Sequence, residues 1–250
     1  MHPILLKCGV LSIYSYGVMI MLAFFTGTYL ARRAAVKAGI SRDIITNSAL
    51  LILFSGIIGA RLLYVALNAR FYLENPLEIF MLPHGGLAFY GGAITAVTAE
   101  LIYIKLKKLS VYEIGGLIIP YVALGQAIGR IGCFLNGCCY GRPTDSFFGV
   151  VFPGADQAVY PTQVFSSLLL IFLYAFLRLL QKLNVKPGTV LIAYGLLYSL
   201  GRFLMEFLRG DNIMVVFGLT FSQFVSAIVF LLCVILLLIR TTQSHGKHSH

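Results

Sequence analysis

The apolar run Leu117-Ile118-Ile119-Pro120-Tyr121-Val122-Ala123-Leu124-Gly125-Gln126-Ala127-Ile128 leads straight into Gly129-Arg130-Ile131-Gly132-Cys133-Phe134-Leu135-Asn136-Gly137-Cys138-Cys139-Tyr140-Gly141. Arg130 therefore falls where a hydrophobic segment should still be inside a bilayer or just leaving it. An ionisable group at that depth is costly and marks a candidate functional site. Four glycines within these thirteen residues weaken the helix and let other groups approach the backbone, and the Arg130 guanidinium offers a fixed fork of donors suited to phosphate or carboxylate. The stretch reads as an anion site at a membrane surface, against the plainer reading of a helix end with a snorkelling arginine.

Composition points the same way. With 59% hydrophobic and 11% charged residues over 250 positions and a mean hydropathy of +0.89, the chain is far too apolar for a soluble domain of this length. The apolar runs reach the roughly 20 residues that a spanning helix needs, rather than the ten-residue alternating segments of a β-barrel. The fold class expected is all-α, a polytopic integral membrane protein. Seven transmembrane helices are expected, over about Tyr16 to Ala35, Ile45 to Leu67, Ala88 to Leu106, Val111 to Ile131, Thr162 to Leu180, Thr189 to Leu208 and Val215 to Ile239. The first lacks a small-residue cleavage site and should remain as a span. Residues 1–240 should form one integral-membrane domain, and residues 241–250 a disordered cytoplasmic tail despite three histidines.

Basic residues orient the helices. Arg32, Arg33, Lys37 and Arg42 follow the first span, Lys105, Lys107 and Lys108 the third, Arg178, Lys182 and Lys186 the fifth, and Arg240 and Lys247 the last. The opposite loops hold only Lys7, Arg70, Arg142 and Arg209. The positive-inside rule then places the N-terminus outside and the C-terminus in the cytoplasm. A net charge of +10 is accounted for by topology and the lipid surface, with no nucleic-acid partner required.

Three arginines remain, Arg61, Arg130 and Arg202, each in or at the edge of an apolar span and each toward the outer side. Three such cations repel one another unless an anion gathers them. The alternative is a set of separate pairs with carboxylates or carbonyls. Glu206, four residues after Arg202, shares its helix face and can hold that side chain in one rotamer. Between the second and third spans, Pro83-His84-Gly85-Gly86-Leu87-Ala88-Phe89-Tyr90-Gly91-Gly92 can bend at membrane depth, which is tolerated where backbone is buried in protein or lines a cavity. His84 can carry protons near neutral pH, or simply be solvated. The long segment from Arg142 to Pro161 suits an ordered loop, either a lid or a plain connector. Cys133, Cys138 and Cys139 have a C-x4-C-C spacing that matches no familiar zinc pattern, so no metal site is assigned. Two of them could pair as a disulfide, or all three could be packed thiols.

The motif Gly129-Arg130-x-Gly132-x-Phe134-x-Asn136-x4-Gly141 resembles the signature of prolipoprotein diacylglyceryl transferases, bacterial inner-membrane enzymes. The likeness extends to Tyr14-x-Tyr16-Gly17, Gly59-x-Arg61-x-x-Tyr64, the Gly-Gly segment, Pro161-x-Gln163 and Tyr198-x3-Arg202-x3-Glu206-Phe207-x-Arg209. The family pattern has Asn where this chain has Cys133, Glu where it has Cys138, and often His where it has Tyr90. The resemblance implies transfer of the diacylglyceryl group of phosphatidylglycerol to the lipobox cysteine of prolipoprotein signal peptides, without a cofactor. It implies Arg130 and Arg202 on the phosphate and Arg61 as orienter or second clamp. Glu206 would hold Arg202, and Asn136, Tyr16 and Tyr64 would contact the headgroup, with Gly141, Tyr90, His84 and Arg209 around the substrate. The departures keep two alternatives open: a transferase with another donor or acceptor, and a non-catalytic phospholipid-binding membrane protein.

Overall fold

The structure, a computed structural model, describes residues 3–8, 11–81, 85–153, 156–186, 188–210, 214–216 and 218–245, with backbone alone at 8, 11, 12, 214–216 and 241–245. The chain divides into two compact units, Met1–Leu30 with Gly115–His250, and Ala31–Ile114. It is mostly helical. Among the described residues, four helices are long and apolar enough to cross a membrane: α2 (Arg42–Leu67), α5 (Val111–Asn136), α6 (Thr162–Lys182) and α8 (Phe221–His245) over its portion Phe221–Arg240. Three more helices are α1 (Ser15–Lys37), α4 (Phe89–Leu106) and α7 (Thr189–Glu206), of 23, 18 and 18 residues. The short α3 (Ala69–Glu74) and a 3-10 turn (Pro76–Phe80) lie between α2 and α4. Large apolar side chains such as Phe54 and Leu62 on α2, Phe172 on α6 and Leu231 on α8 are exposed, as expected of surfaces that face lipid rather than water.

Three expectations need correction. Two short hairpins interrupt the all-α expectation. One joins β1 (Ile4–Cys8) to β2 (Leu11–Tyr14), and the other joins β3 (Met214–Val216) to β4 (Leu219–Thr220). Both use apolar and β-branched residues that suit extended backbone. The last helix consequently begins at Phe221 and not near Val215. Its start is fixed by a capping box, in which the Gln223 amide N–H donates to Thr220 Oγ1 at 3.2 Å and the Thr220 N–H donates to Gln223 Oε1 at 3.0 Å. At its other end α8 continues as helix to His245, five residues into the segment expected to be disordered, because an established helix propagates at little cost. Residues 246–250 lie outside the described residues.

In the Ala31–Ile114 unit, α2 and α4 touch backbone to backbone. Thr95 Oγ1 reaches across to the Ser55 carbonyl at 2.9 Å. A Cβ on Gly92 would lie 2.8 Å from the Gly56 carbonyl oxygen, and one on Gly91 would strike the Gly59 carbonyl and come within 2.5 Å of Leu63 Cβ. Small residues at a helix interface permit this approach, and interhelical van der Waals contact is what holds helices together in lipid. Gly91→Ala should therefore destabilise the pair by about 1–3 kcal/mol. Thermal unfolding in detergent checks this, with Gly17→Ala, whose Cβ would enter open space, as the unaffected control.

In the other unit, Ala123 and Ala127 of α5 pack with Leu170, Leu173 and Leu177 of α6 and Val190 of α7. The Ser167 hydroxyl donates to the Ala127 carbonyl at 3.0 Å. This core sets the ends of α5, α6 and α7 together.

Candidate active site

Glu206 ends α7 and is buried. A buried carboxylate is tolerable only when its oxygens are answered, and here both are. Oε2 pairs with Arg202 Nη1 at 2.7 Å, one turn earlier on the same helix, and Oε1 accepts the Thr220 hydroxyl at 2.8 Å. Thr220 is also the cap of α8, so the start of one helix fixes the carboxylate at the end of another. Arg202 Nη2 donates to Ser222 Oγ at 3.1 Å. Guanidinium, carboxylate and two hydroxyls thus form one network between α7 and α8.

Two further cations share this neighbourhood. Arg130 and Arg209 both lie within electrostatic reach of Arg202. Arg209 follows α7 and pairs its backbone with Gly141, while the Arg142 N–H donates to the Leu208 carbonyl at 2.9 Å. A Cβ on Gly141 would lie 2.5 Å from the Leu208 oxygen and 2.8 Å from both Thr162 and Tyr160. Only glycine lets these segments meet. On α5, a Cβ on Gly132 would come within 2.9 Å of Met19 Cβ, so α1 lies close and carries Tyr16 into electrostatic reach of Arg130.

The chain leaves α5 through Gly137 and Cys139, both in the left-handed region with φ of +74° and +66°. The Asn136 side chain bonds the Cys138 thiol. Gln163 at the start of α6 donates to the Cys138 carbonyl at 2.7 Å, and the Thr162 hydroxyl donates to the Cys139 carbonyl at 2.8 Å. The Cys133, Cys138 and Cys139 thiols are free. Bonding from Cys133, with the charges of Arg209 and Arg130 adding, holds the Cys139 thiol down at about 5. The three guanidinium groups and the single Glu206 carboxylate leave this neighbourhood net positive, which suits an anion.

Arg61 belongs to the Ala31–Ile114 unit, and its charge is answered there. Nε donates to the Ile79 carbonyl at 2.9 Å, Nη1 to those of Gly86 at 3.0 Å and Gly85, and Nη2 to those of Met81 at 3.3 Å and Glu78. Five N–H groups meet five carbonyls. The guanidinium also lies 5.4 Å from the Tyr72 ring centroid. Gly85 and Gly86 both have φ of +82°, and a Cβ on Gly86 would lie 2.6 Å from the Tyr64 ring. Arg61 and Tyr64 thereby staple the segment between α2 and α4.

A family model described as prolipoprotein diacylglyceryl transferase matches residues 3–239 of the chain. The chain belongs to the prolipoprotein diacylglyceryl transferase family. Among its relatives is a phosphatidylglycerol–prolipoprotein diacylglyceryl transferase of Clostridium tetani, 38% identical over 90% of this chain and 92% of the relative. A Clostridium perfringens transferase of the same name, numbered 2, is 37% identical over 88% of each chain. One from Bacillus velezensis is 30% identical over 98% of this chain and 94% of its own.

In this member of the transferase family, the expected residues sort by place. Arg130, Arg202, Glu206, Arg209 and Tyr16 share one neighbourhood; Asn136 stands beside it, exposed at the end of α5 and bonded to Cys138. Gly141 is a junction residue of that unit. Arg61 and Tyr64 sit together in the other unit, and Tyr90 lies in the first turn of α4 against Phe89, with ring centroids 5.6 Å apart. His84 lies outside the described residues. The long segment after α5 is pinned by backbone pairing of Val150 with Val159 and by Phe152, buried against Phe134 and Tyr140. Sequence reasoning missed Thr220 and Ser222, although the pattern Thr220-x-x-Gln223 was a readable helix start.

Proposed function

We propose that this chain transfers the diacylglyceryl group of phosphatidylglycerol to the lipobox cysteine thiol of prolipoprotein signal peptides, the first step of lipoprotein maturation in the bacterial inner membrane. What carries the reading is the gathering of Arg130, Arg202 and Arg209 beside one buried carboxylate, in a chain whose relatives carry that transferase name. The positive-inside distribution supports seven spans with an outward N-terminus, which sets these arginines toward the outer leaflet. Residues 1–240 serve this one reaction.

The chemistry is a displacement at carbon. The acceptor thiol loses its proton, its sulfur bonds to the glycerol carbon that bears the phosphate, and the carbon–oxygen bond breaks so that glycerol 1-phosphate departs. Negative charge grows on the departing phosphate. Arg130 and Arg202 stabilise it with donors already in place, and their field also favours the thiolate. Glu206, held by Thr220, keeps Arg202 in one orientation. Arg209, Asn136 and Tyr16 border the headgroup, and Arg61 with Tyr64 orders the segment that precedes α4.

No dedicated base is needed on this view. A free thiol with pKa near 8.5 is already a few per cent thiolate at pH 7, and each unit of depression gives about tenfold more. Tyrosine is a poor base at neutral pH. His84→Ala and Tyr90→Phe should each lower turnover by less than about tenfold, and the rate should rise with pH along the thiol's titration. A folded, lipid-binding His84→Ala protein without activity would instead make histidine the base.

Depletion of the protein in its own cells, followed by mass measurement of a lipoprotein precursor, tests the function. Accumulation of precursor lacking the diacylglyceryl mass is expected. Unchanged lipid modification would reject the assignment.

A further inference from the structure

The three cysteines after Arg130 carry no role in the reaction proposed above, yet the fold gathers them. Their Sγ atoms all lie within 4.8 Å of one another, each half-buried. Cys133 comes from the last turn of α5. The chain then reverses through Gly137 and Cys139, and the Cys138 N–H returns to the Cys133 carbonyl at 3.1 Å. A left-handed backbone is costly for a residue that has a Cβ. It is held here from outside, because Gln163 and Thr162 of α6 bond the carbonyls of Cys138 and Cys139 at 2.7 and 2.8 Å. The thiols are therefore assembled by the fold before any ligand arrives.

A disulfide would use two of the three and leave the third unexplained. A metal ion uses all three. With metal–sulfur bonds of about 2.3 Å, three sulfurs on one tetrahedral ion stand about 3.8 Å apart, so each sulfur here needs to move by less than about 1 Å. The grouping is purely thiol, which selects soft ions over magnesium or calcium. Three thiolates on a divalent ion carry one net negative charge, and Arg130 and Arg209 lie within electrostatic reach to answer it.

We propose that Cys133, Cys138 and Cys139 form a three-thiolate site for a soft d10 metal ion of the zinc or cadmium class, with a fourth coordination position open. On binding, three S–H groups release their protons to solvent and three metal–sulfur bonds form, with no change of oxidation state. The contiguous spacing C-x4-C-C hides the site, since it depends on the backbone reversal at Cys139.

The full-length protein, purified in detergent under a phosphine reductant, is titrated with Cd(II). One ion per chain should bind with a thiolate-to-metal charge-transfer absorption, and Cd(II) should displace Zn(II) bound beforehand, since thiolates favour the softer ion. Replacing Cys133, Cys138 and Cys139 together by Ser should weaken binding by at least about 100-fold, whereas Cys233→Ser should not. A readout that needs no variant is alkylation counted by mass: Zn(II) should protect these three cysteines in the wild-type chain. Absence of stoichiometric binding, binding that survives the triple replacement, or alkylation indifferent to Zn(II) would each overturn the proposal. These readouts are independent of transfer, so their failure leaves the transferase assignment untouched. In metal-free buffer the triple variant should keep transfer within about tenfold of wild type, because the guanidinium groups that meet the phosphate remain. Loss of activity in a folded triple variant would give the cysteines a role in the reaction itself.

Discussion

Replacing Arg202 with lysine lowers diacylglyceryl transfer by at least about 100-fold in a reconstituted assay, although the positive charge is kept. The reason is geometric. Arg202 uses Nη1 on Glu206 and Nη2 on Ser222, and its side chain still has 21% of its surface open. A planar fork can hold both partners and present its remaining N–H groups to a phosphate, whereas an ammonium group reaches only part of that set. Thermal stability should change little beside the activity. Arg130→Lys should show a similar defect, and the double variant should lose less than the product of the two if both serve one phosphate. A lysine variant with near-native turnover would remove Arg202 from the chemistry.

Arg61→Lys should behave differently, losing stability and activity together. The five carbonyls of Glu78, Ile79, Met81, Gly85 and Gly86 converge on one guanidinium. Lysine has three donors on one atom, so at least two carbonyls are left without partners, at about 1–3 kcal/mol each. Unfolding should shift downward by an amount worth about 2–6 kcal/mol, and the segment before α4 should become open to proteolysis. If Arg61→Lys instead kept its melting temperature and lost only turnover, Arg61 would be a phosphate clamp and not a staple. The contrast between the two lysine variants separates a side chain that meets substrate from one that holds backbone.

Much of this was legible in the chain. Long apolar runs gave the helices nearly to the residue at Leu106, Thr162 and Thr189, since length and hydropathy are local properties. The Arg202–Glu206 pair was readable because four residues make one helical turn. The carbonyls around Arg61 were not, because its partners lie 17 to 25 residues away on irregular backbone that no periodicity describes. The start of α8 was misplaced because Met214, Val215 and Val216 are as apolar as the helix that follows, and hydropathy does not distinguish an extended pair from a helical turn. The capping box was the better marker. The convergence of three thiols depends on two left-handed residues, Gly137 and Cys139, and at Cys139 the sequence favours no such turn.

If the arginine cluster of this chain drives transfer from phosphatidylglycerol to a cysteine thiol, both products of that transfer should appear together. The most direct measurement uses the purified protein in phosphatidylglycerol vesicles with a lipobox peptide, following peptide mass and released glycerol phosphate together. A peptide heavier by one diacylglyceryl group is expected, with one glycerol 1-phosphate released per peptide modified and both signals lost in Arg202→Lys. Headgroup release without peptide modification, or modification that persists in Arg202→Lys, would contradict it.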